Sequence, residues 1–228
     1  MHSSSPAVAT RQALGSTIGV DGQTQQEASR RWGPEGTGAW YDGKRWNNAR
    51  RRERDPRIVQ RILKQHLTGP GLVLDAPCGT GRLAQAITEQ ASFVGLDSSP
   101  SMLAEAAGKK PGPLLRADVN RMPFASECFD AVLCCRLLHH LKTRAELETT
   151  LAELLRVSRG IVAGSFWDSS SLAALRQRLP FVRRPVHRRA FPKSWIRDAL
   201  QAAGGELIAW EHSARFFSQQ AWFVAQKR

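Results

Sequence analysis

Acidic residues are scarce in this chain. Its 228 residues carry 20 Asp and Glu against 33 Lys and Arg, a formal charge of +13 at pH 7. Such a balance favours anionic partners, whether nucleic acid, phosphorylated glycans or an acidic membrane surface, unless it serves only to keep the surface soluble. The scarcity is local as well as global. From Ser169 to Arg197 there is no acid, while Arg176, Arg178, Arg183, Arg184, Arg188, Arg189, Lys193 and Arg197 are all present. A CxxC spacing is also missing. Cys78, Cys128, Cys134 and Cys135 form no metal pattern with the six histidines, so no metal is expected and the thiols read as free ones of a reducing compartment. No apolar run reaches the ~18 residues that span a bilayer. The first residues lack the apolar core of a secretion signal, and a lone Arg11 is weak support for a transit peptide. A cytoplasmic protein is expected, in contact with the inner membrane surface at most peripherally. No internal repeat is evident, and the length fits one domain with no room for a second large one.

What is present centres on Val73-Leu-Asp-Ala-Pro-Cys-Gly-Thr-Gly-Arg-Leu-Ala84. Val73 and Leu74 read as the end of a buried parallel strand. Gly79 and Gly81 then allow a sharp turn and a close backbone approach to a ligand. Leu83 and Ile87, four apart, begin a helix whose N-terminus turns partial positive charge toward that loop. A second apolar segment, Phe93 to Asp97, ends in an acid placed to accept hydrogen bonds from two ribose hydroxyls. A third, Leu114 to Asp118, ends the same way. Phe129 to Cys135 reads as a fourth strand.

Around this centre the chain divides into a tail over 1–29, a basic, aromatic-rich lid over 30–55, and a domain over 56–228 with a basic insertion at 169–193. In the lid, Trp32, Trp40, Tyr41 and Trp46 interleave with Arg and Lys. They either pack over a ligand or meet bases or a membrane interface. Asp55-Pro56 is expected to open a helix with Pro in its first turn and a stripe of Ile58, Ile62, Leu63 and Leu67. Ser99-Pro100 gives an N-cap and first-turn proline, and Thr143 with Glu146 a capping box. Ile161 to Phe166 is a fifth strand. A helix begins at Pro192, and Glu206 to Trp210 with Ala221 to Ala225 forms a closing pair of strands.

Strands ending in Asp75, Asp97 and Asp118, with the step from Met122-Pro-Phe124 into Phe129-Asp130, resemble the class I S-adenosylmethionine-dependent methyltransferases, in particular the small UbiE-like, type 11 group. The resemblance covers residues 56 to 228. It implies a Rossmann-like α/β fold: a seven-stranded, mostly parallel sheet with helices on both faces and an antiparallel C-terminal strand. The implied cofactor is S-adenosylmethionine, leaving as S-adenosylhomocysteine. Asp75 and the amides of Gly79 and Gly81 would hold its methionyl part, Asp97 the ribose and Asp118 the adenine amino group, with Val119 or Met102 against the ring. Asp75 could instead only fix the loop. Ala76, Cys78, Ser98 and Arg136 complete the expected cofactor-binding set. Ala76-Pro77 stands where the family's usual loop has Gly, and the proline removes one amide.

His139 and His140 follow the fourth strand, where either could take a proton as the methyl transfers. Adjacent residues do not face one site together. For the acceptor, Arg183, Arg184, Arg188 and Arg189 with Trp46 are the expected contacts, because guanidinium forks match phosphate and carboxylate oxygens. The acceptor is therefore expected to be anionic: a phosphorylated sugar, an envelope lipid or glycan precursor, or an acidic metabolite. An RNA methyltransferase acting on ribose or a ring nitrogen is the rival, since basic charge and aromatics also suit nucleic acid. A non-catalytic donor-binding regulator is the third reading.

Overall fold

The computed structural model describes residues 49–176, 189–212 and 219–228. The expected tail, most of the expected lid, and Trp46, Arg183, Arg184 and Arg188 lie outside those residues.

The first helix, α1 (Ala49–His66), begins before the Asp55-Pro56 signal, and Pro56 lies inside it. The expected start at 55/56, and the domain boundary placed there, therefore fall within one helix. Proline at that position cannot donate to the carbonyl of Arg52 four residues back. The Arg82 guanidinium takes that carbonyl at 3.2 Å, so the missing bond is replaced from another element. Ile58, Val59, Ile62 and Leu63 are the buried stripe of α1.

Then follow β1 (Leu72–Asp75), α2 (Ala84–Thr88), β2 (Ser92–Asp97), α3 (Pro100–Gly108), β3 (Leu114–Arg116) and β4 (Phe129–Cys134). The second half holds α4 (Arg144–Val157), β5 (Ser158–Trp167), α5 (Leu172–Arg176), α6 (Lys193–Ala202), β6 (Gly205–His212) and β7 (Gln220–Lys227). Ser99 caps α3 by accepting from the Met102 amide with Pro100 behind it. Both halves of the Thr143–Glu146 capping box are formed at α4. Proline 192 is the N-cap of α6 rather than its first helical residue.

Among the described residues the strands form one seven-stranded sheet in the order β3-β2-β1-β4-β5-β7-β6. β7 runs antiparallel between β5 and β6, whereas the pairs from β3 to β5 are parallel. Alternation along each strand sends side chains to opposite faces. Leu74, Val132, Val162 and Phe223 pack with the α4 and α6 stripes. Their neighbours Val73, Leu133, Ile161 and Trp222 pack with α1 and α2. Helices thus cover both faces, as a parallel sheet with apolar strands requires. The chain runs from β1 outward to β3, then returns to place β4 on the other side of β1. That reversal opens a crevice at the carboxyl ends of β1 and β4, where open α/β sheets take their ligands.

Candidate active site

A cavity of about 190 Å³ occupies this crevice. The end of β1 contributes Asp75, and the loop after it Cys78 and Gly79. Asp97 and Ser98 come from the end of β2 and Met102 from α3. Arg136, Leu137 and His140 come from the segment after β4. Three strand ends separated in sequence by up to about sixty residues therefore share one wall.

Gly79 and Gly81 have φ of 54° and 72°, a left-handed conformation that side chains disfavour. Nothing lies within 4 Å of a Cβ built on Gly79, whereas one on Gly81 would press on Ala106 at 3.3 Å. The two glycines thus do different work: Gly79 keeps space open beside the cavity, and Gly81 lets the loop close on α3. Their amides are already engaged. Gly79 donates to Asp97 Oδ2 at 2.8 Å, and Gly81 to the Cys78 carbonyl at 3.0 Å. The expectation that these amides grip a ligand is corrected accordingly. What Gly79 gives the cavity is the absence of a side chain, whereas Gly81 is not among the cavity's lining residues.

Asp97 organises the loop. Its Oδ1 also accepts from the Ser99 amide at 2.9 Å. Burial raises its pKa, opposed by the hydrogen bonds from Ser99 and Gly79. Each carboxylate oxygen has two lone-pair directions, so these bonds leave room for hydroxyl donors.

Asp75 differs sharply. It is only 1% exposed, and among the described residues neither carboxylate oxygen has a hydrogen-bond partner. The loop-fixing role considered for Asp75 belongs to Asp97 instead. Burial, and then the neighbouring Asp97 charge, push its pKa well above the usual carboxylate range, while Arg82 pulls the other way. A buried acceptor with no donor is costly unless a ligand satisfies it. Burial also holds the Cys78 and Cys135 thiols protonated, with pKa values raised from their ordinary value, so neither is a ready nucleophile.

The two histidine rings lie 4.3 Å apart but meet different surroundings. His140 lines the cavity. His139 is 3% exposed, and its ring stacks on Trp167 at 5.1 Å and 7°. Arg189 reaches the same corner, donating from its backbone to the His139 carbonyl at 2.8 Å and from its guanidinium to the Lys142 carbonyl. Asp118, Val119 and Ala76 are not among the cavity's lining residues. Asp118 accepts from the Asn120 amide at 2.9 Å, while Val119 and Ala76 pack into the core. Sequence reasoning passed over Thr80, Arg82, Leu83 and Leu137, which also line the cavity. Their position beside Gly79, Gly81 and Arg136 was the available signal. Among the described residues no group of His, Cys, Asp and Glu has a metal-holding arrangement.

A doubly wound sheet with a reversed β7 and a glycine loop at its switch point is a Rossmann-like methyltransferase architecture. Residues 73–160 match the family profile described as a methyltransferase domain, and that match, with methyltransferase relatives and the fold, supports a class I S-adenosylmethionine-dependent methyltransferase. It is 35% identical over 140 residues to malonyl-acyl-carrier-protein O-methyltransferase of Salmonella typhimurium, covering 57% of this chain and 52% of that protein. It is 30% identical over 105 residues to a tRNA carboxymethyluridine methyltransferase of Arabidopsis thaliana, covering 45% of this chain and 26% of that protein. The chain thus spans about half the length of the first and about a quarter of the second. In fold it is similar to magnesium protoporphyrin IX methyltransferase of Synechocystis, crystallised with S-adenosylmethionine, at a TM-score of 0.67 and 16% identity over 93% of this chain and 100% of that one.

Proposed function

We propose that the chain binds S-adenosylmethionine in the cavity at the ends of β1, β2 and β4 and transfers its methyl group in line to an anionic acceptor. The observation that carries the donor half is the orphaned carboxylate of Asp75. A buried anion without a donor is satisfied by a cation, and this ligand brings an ammonium and a sulfonium. The open space at Gly79 and the lone pairs left on Asp97 fit the same molecule. Within the class, the small UbiE-like group remains the closest reading.

When bound, the sulfonium supplies a methyl group that is already electrophilic. The residues of this chain then have to bind and orient. Asp75 would hold the ammonium and Asp97 the ribose hydroxyls, with Ser98 and Met102 continuing the wall toward the adenine. Holding an acceptor in line can itself lower the barrier by several kcal/mol. His140 is the side chain placed to remove a proton from the acceptor. Replacing it with alanine should lower kcat about a hundredfold, the size of a lost general base, while Tm stays at the wild-type value. His139→Ala should instead lower Tm, because it empties the stack on Trp167. An unchanged kcat in His140→Ala would remove the base from the mechanism.

The anionic acceptor, a phosphorylated sugar, lipid or glycan precursor or acidic metabolite, is supported by the +13 charge and by Arg189, held at the carbonyls of His139 and Lys142 in the segment that follows β4. The Salmonella relative is named for a malonyl, hence carboxylate-bearing, acceptor. The second reading, an RNA acceptor, draws on the same charge and on the relative named for tRNA. Radiolabelled methyl transfer from S-adenosylmethionine into lipid, glycan, RNA and small-molecule fractions of a cell extract tests both. Label in an acidic small-molecule, lipid or glycan fraction is expected. Label in RNA, with binding that falls steeply as salt rises, would move the assignment to the second reading. Donor binding without S-adenosylhomocysteine formation in any fraction would leave a non-catalytic regulator.

A further inference from the structure

Asp55 is fully buried on α1 and yet is not among the cavity's lining residues. Two of the side chains it contacts, Arg82 and Arg136, are. Arg136 Nε donates to Asp55 Oδ2 at 2.9 Å, and Arg82 Nη1 lies 3.7 Å from the same oxygen. Gln220, at the start of β7, donates to Oδ1 at 2.9 Å. Arg82 and Arg136 both line the cavity, and they stand in it with Asp75, whose carboxylate has no hydrogen-bond partner among the described residues.

That arrangement poses a problem which Asp55 solves. Arginine is a long, flexible cation, and a guanidinium released near a buried, orphaned carboxylate would pair with it. Arg82 or Arg136 on Asp75 would occupy the place a cationic ligand group needs. Other restraints act on the same residues. The Arg136 backbone is left-handed at φ 65°, with its amide on Ser165 Oγ at 2.8 Å. Arg82 is held at the Arg52 carbonyl that Pro56 leaves without its helical donor. A single turn of α1 thus supplies both the carbonyl and the carboxylate that restrain these cations.

We propose that Asp55 is a positioning residue of the donor site: it fixes Arg136, and with it Arg82, so that their charge faces the anionic end of the ligand and stays off Asp75. This rests on the donor reading above. It makes docking of α1 part of donor binding, although the sequence marks Asp55-Pro56 only as a helix start.

The test is a double-mutant cycle read by calorimetry with S-adenosylmethionine on the full-length chain. Asp55→Asn and Arg136→Gln are each expected to weaken binding about tenfold, the effect of losing one charge-assisted hydrogen bond. The double variant should also be weaker by about tenfold, not a hundredfold, because the two residues act as one unit. Losses that multiply would show that Asp55 acts independently of Arg136 and overturn the proposal, as would unchanged binding in Asp55→Asn. If Asp55→Asn does not fold, Gln220→Leu replaces it in the cycle, since it frees Asp55 Oδ1 while keeping both charges; a smaller loss, again absent on the Arg136→Gln background, is expected. Multiplying losses there would overturn the proposal equally. Failure of the donor reading is separable, because wild-type protein would then show no binding at all.

Discussion

Asp75→Asn should make the ligand-free protein more stable and the donor complex weaker. Both shifts have one cause. The Asp75 carboxylate is buried without a donor among the described residues, and its raised pKa records the cost of ionising it there. An amide of the same shape removes the charge and so most of that cost. Unpaired buried polar groups cost about 1–3 kcal/mol, more when charged, so a gain of that order is expected, visible as a Tm several degrees higher. The pH dependence follows from the direction of the shift. A carboxyl whose folded pKa lies above its ordinary 3.8 favours the folded state while protonated, and that advantage disappears as pH rises through the folded pKa. Variant and wild type should therefore have similar Tm near pH 4, with the gap widening at higher pH. Donor affinity should move oppositely, falling by about 1–3 kcal/mol as a charge-assisted contact is lost. In the wild type, binding should release a proton wherever Asp75 is still partly protonated, which calorimetry in buffers of different ionisation enthalpy would detect. A variant that is no more stable and still binds normally would mean that Asp75 is satisfied by something other than the donor.

How much of this site could be read from the residues alone depended on whether the signal was local. The strand ends at Asp75 and Asp97, the glycine turn and the Ser99 and Thr143 caps are written in short stretches, and the structure builds them where the spacing puts them. Near-continuous apolar runs in β1, β4 and β5 mark strands buried on both faces, and the reversed β7 follows from the resemblance. What was not legible is contact across long separations. Asp55 meets Gln220 across 165 positions, and no pattern in either segment announces the other. Pro56 reads as a first-turn residue because that is the usual place of proline, yet it lies inside α1; the bond it removes is replaced by Arg82, which only the tertiary structure brings near. The two histidines were equivalent in sequence and became distinct once Trp167 offered one of them a stacking partner. The glycine amides were assigned to a ligand by position alone, whereas the Asp97 carboxylate eighteen residues away takes one of them.

Asp97→Ala should lower stability and donor affinity together, which distinguishes it from Asp75→Asn. The carboxylate holds two backbone donors, the part-buried Gly79 and the buried Ser99, at 2.8 and 2.9 Å. Alanine leaves both without an acceptor and releases the loop that forms one wall of the cavity. Each orphaned donor costs about 1–3 kcal/mol; relief of the burial that raises the Asp97 pKa offsets part of this. A net destabilisation of about 1–3 kcal/mol is expected by urea unfolding. On the binding side, the lost ribose contacts alone account for about 1–3 kcal/mol. The unpinned loop must also be reordered when the donor binds, which adds an entropic cost, so affinity should fall more than in Asp75→Asn. Asp97→Asn keeps one acceptor oxygen and should recover part of the stability, but its amide group cannot accept from the second backbone donor. Calorimetry showing wild-type affinity in a folded Asp97→Ala protein would remove the ribose from this corner of the cavity, and with it the placement of the donor between β1 and β2.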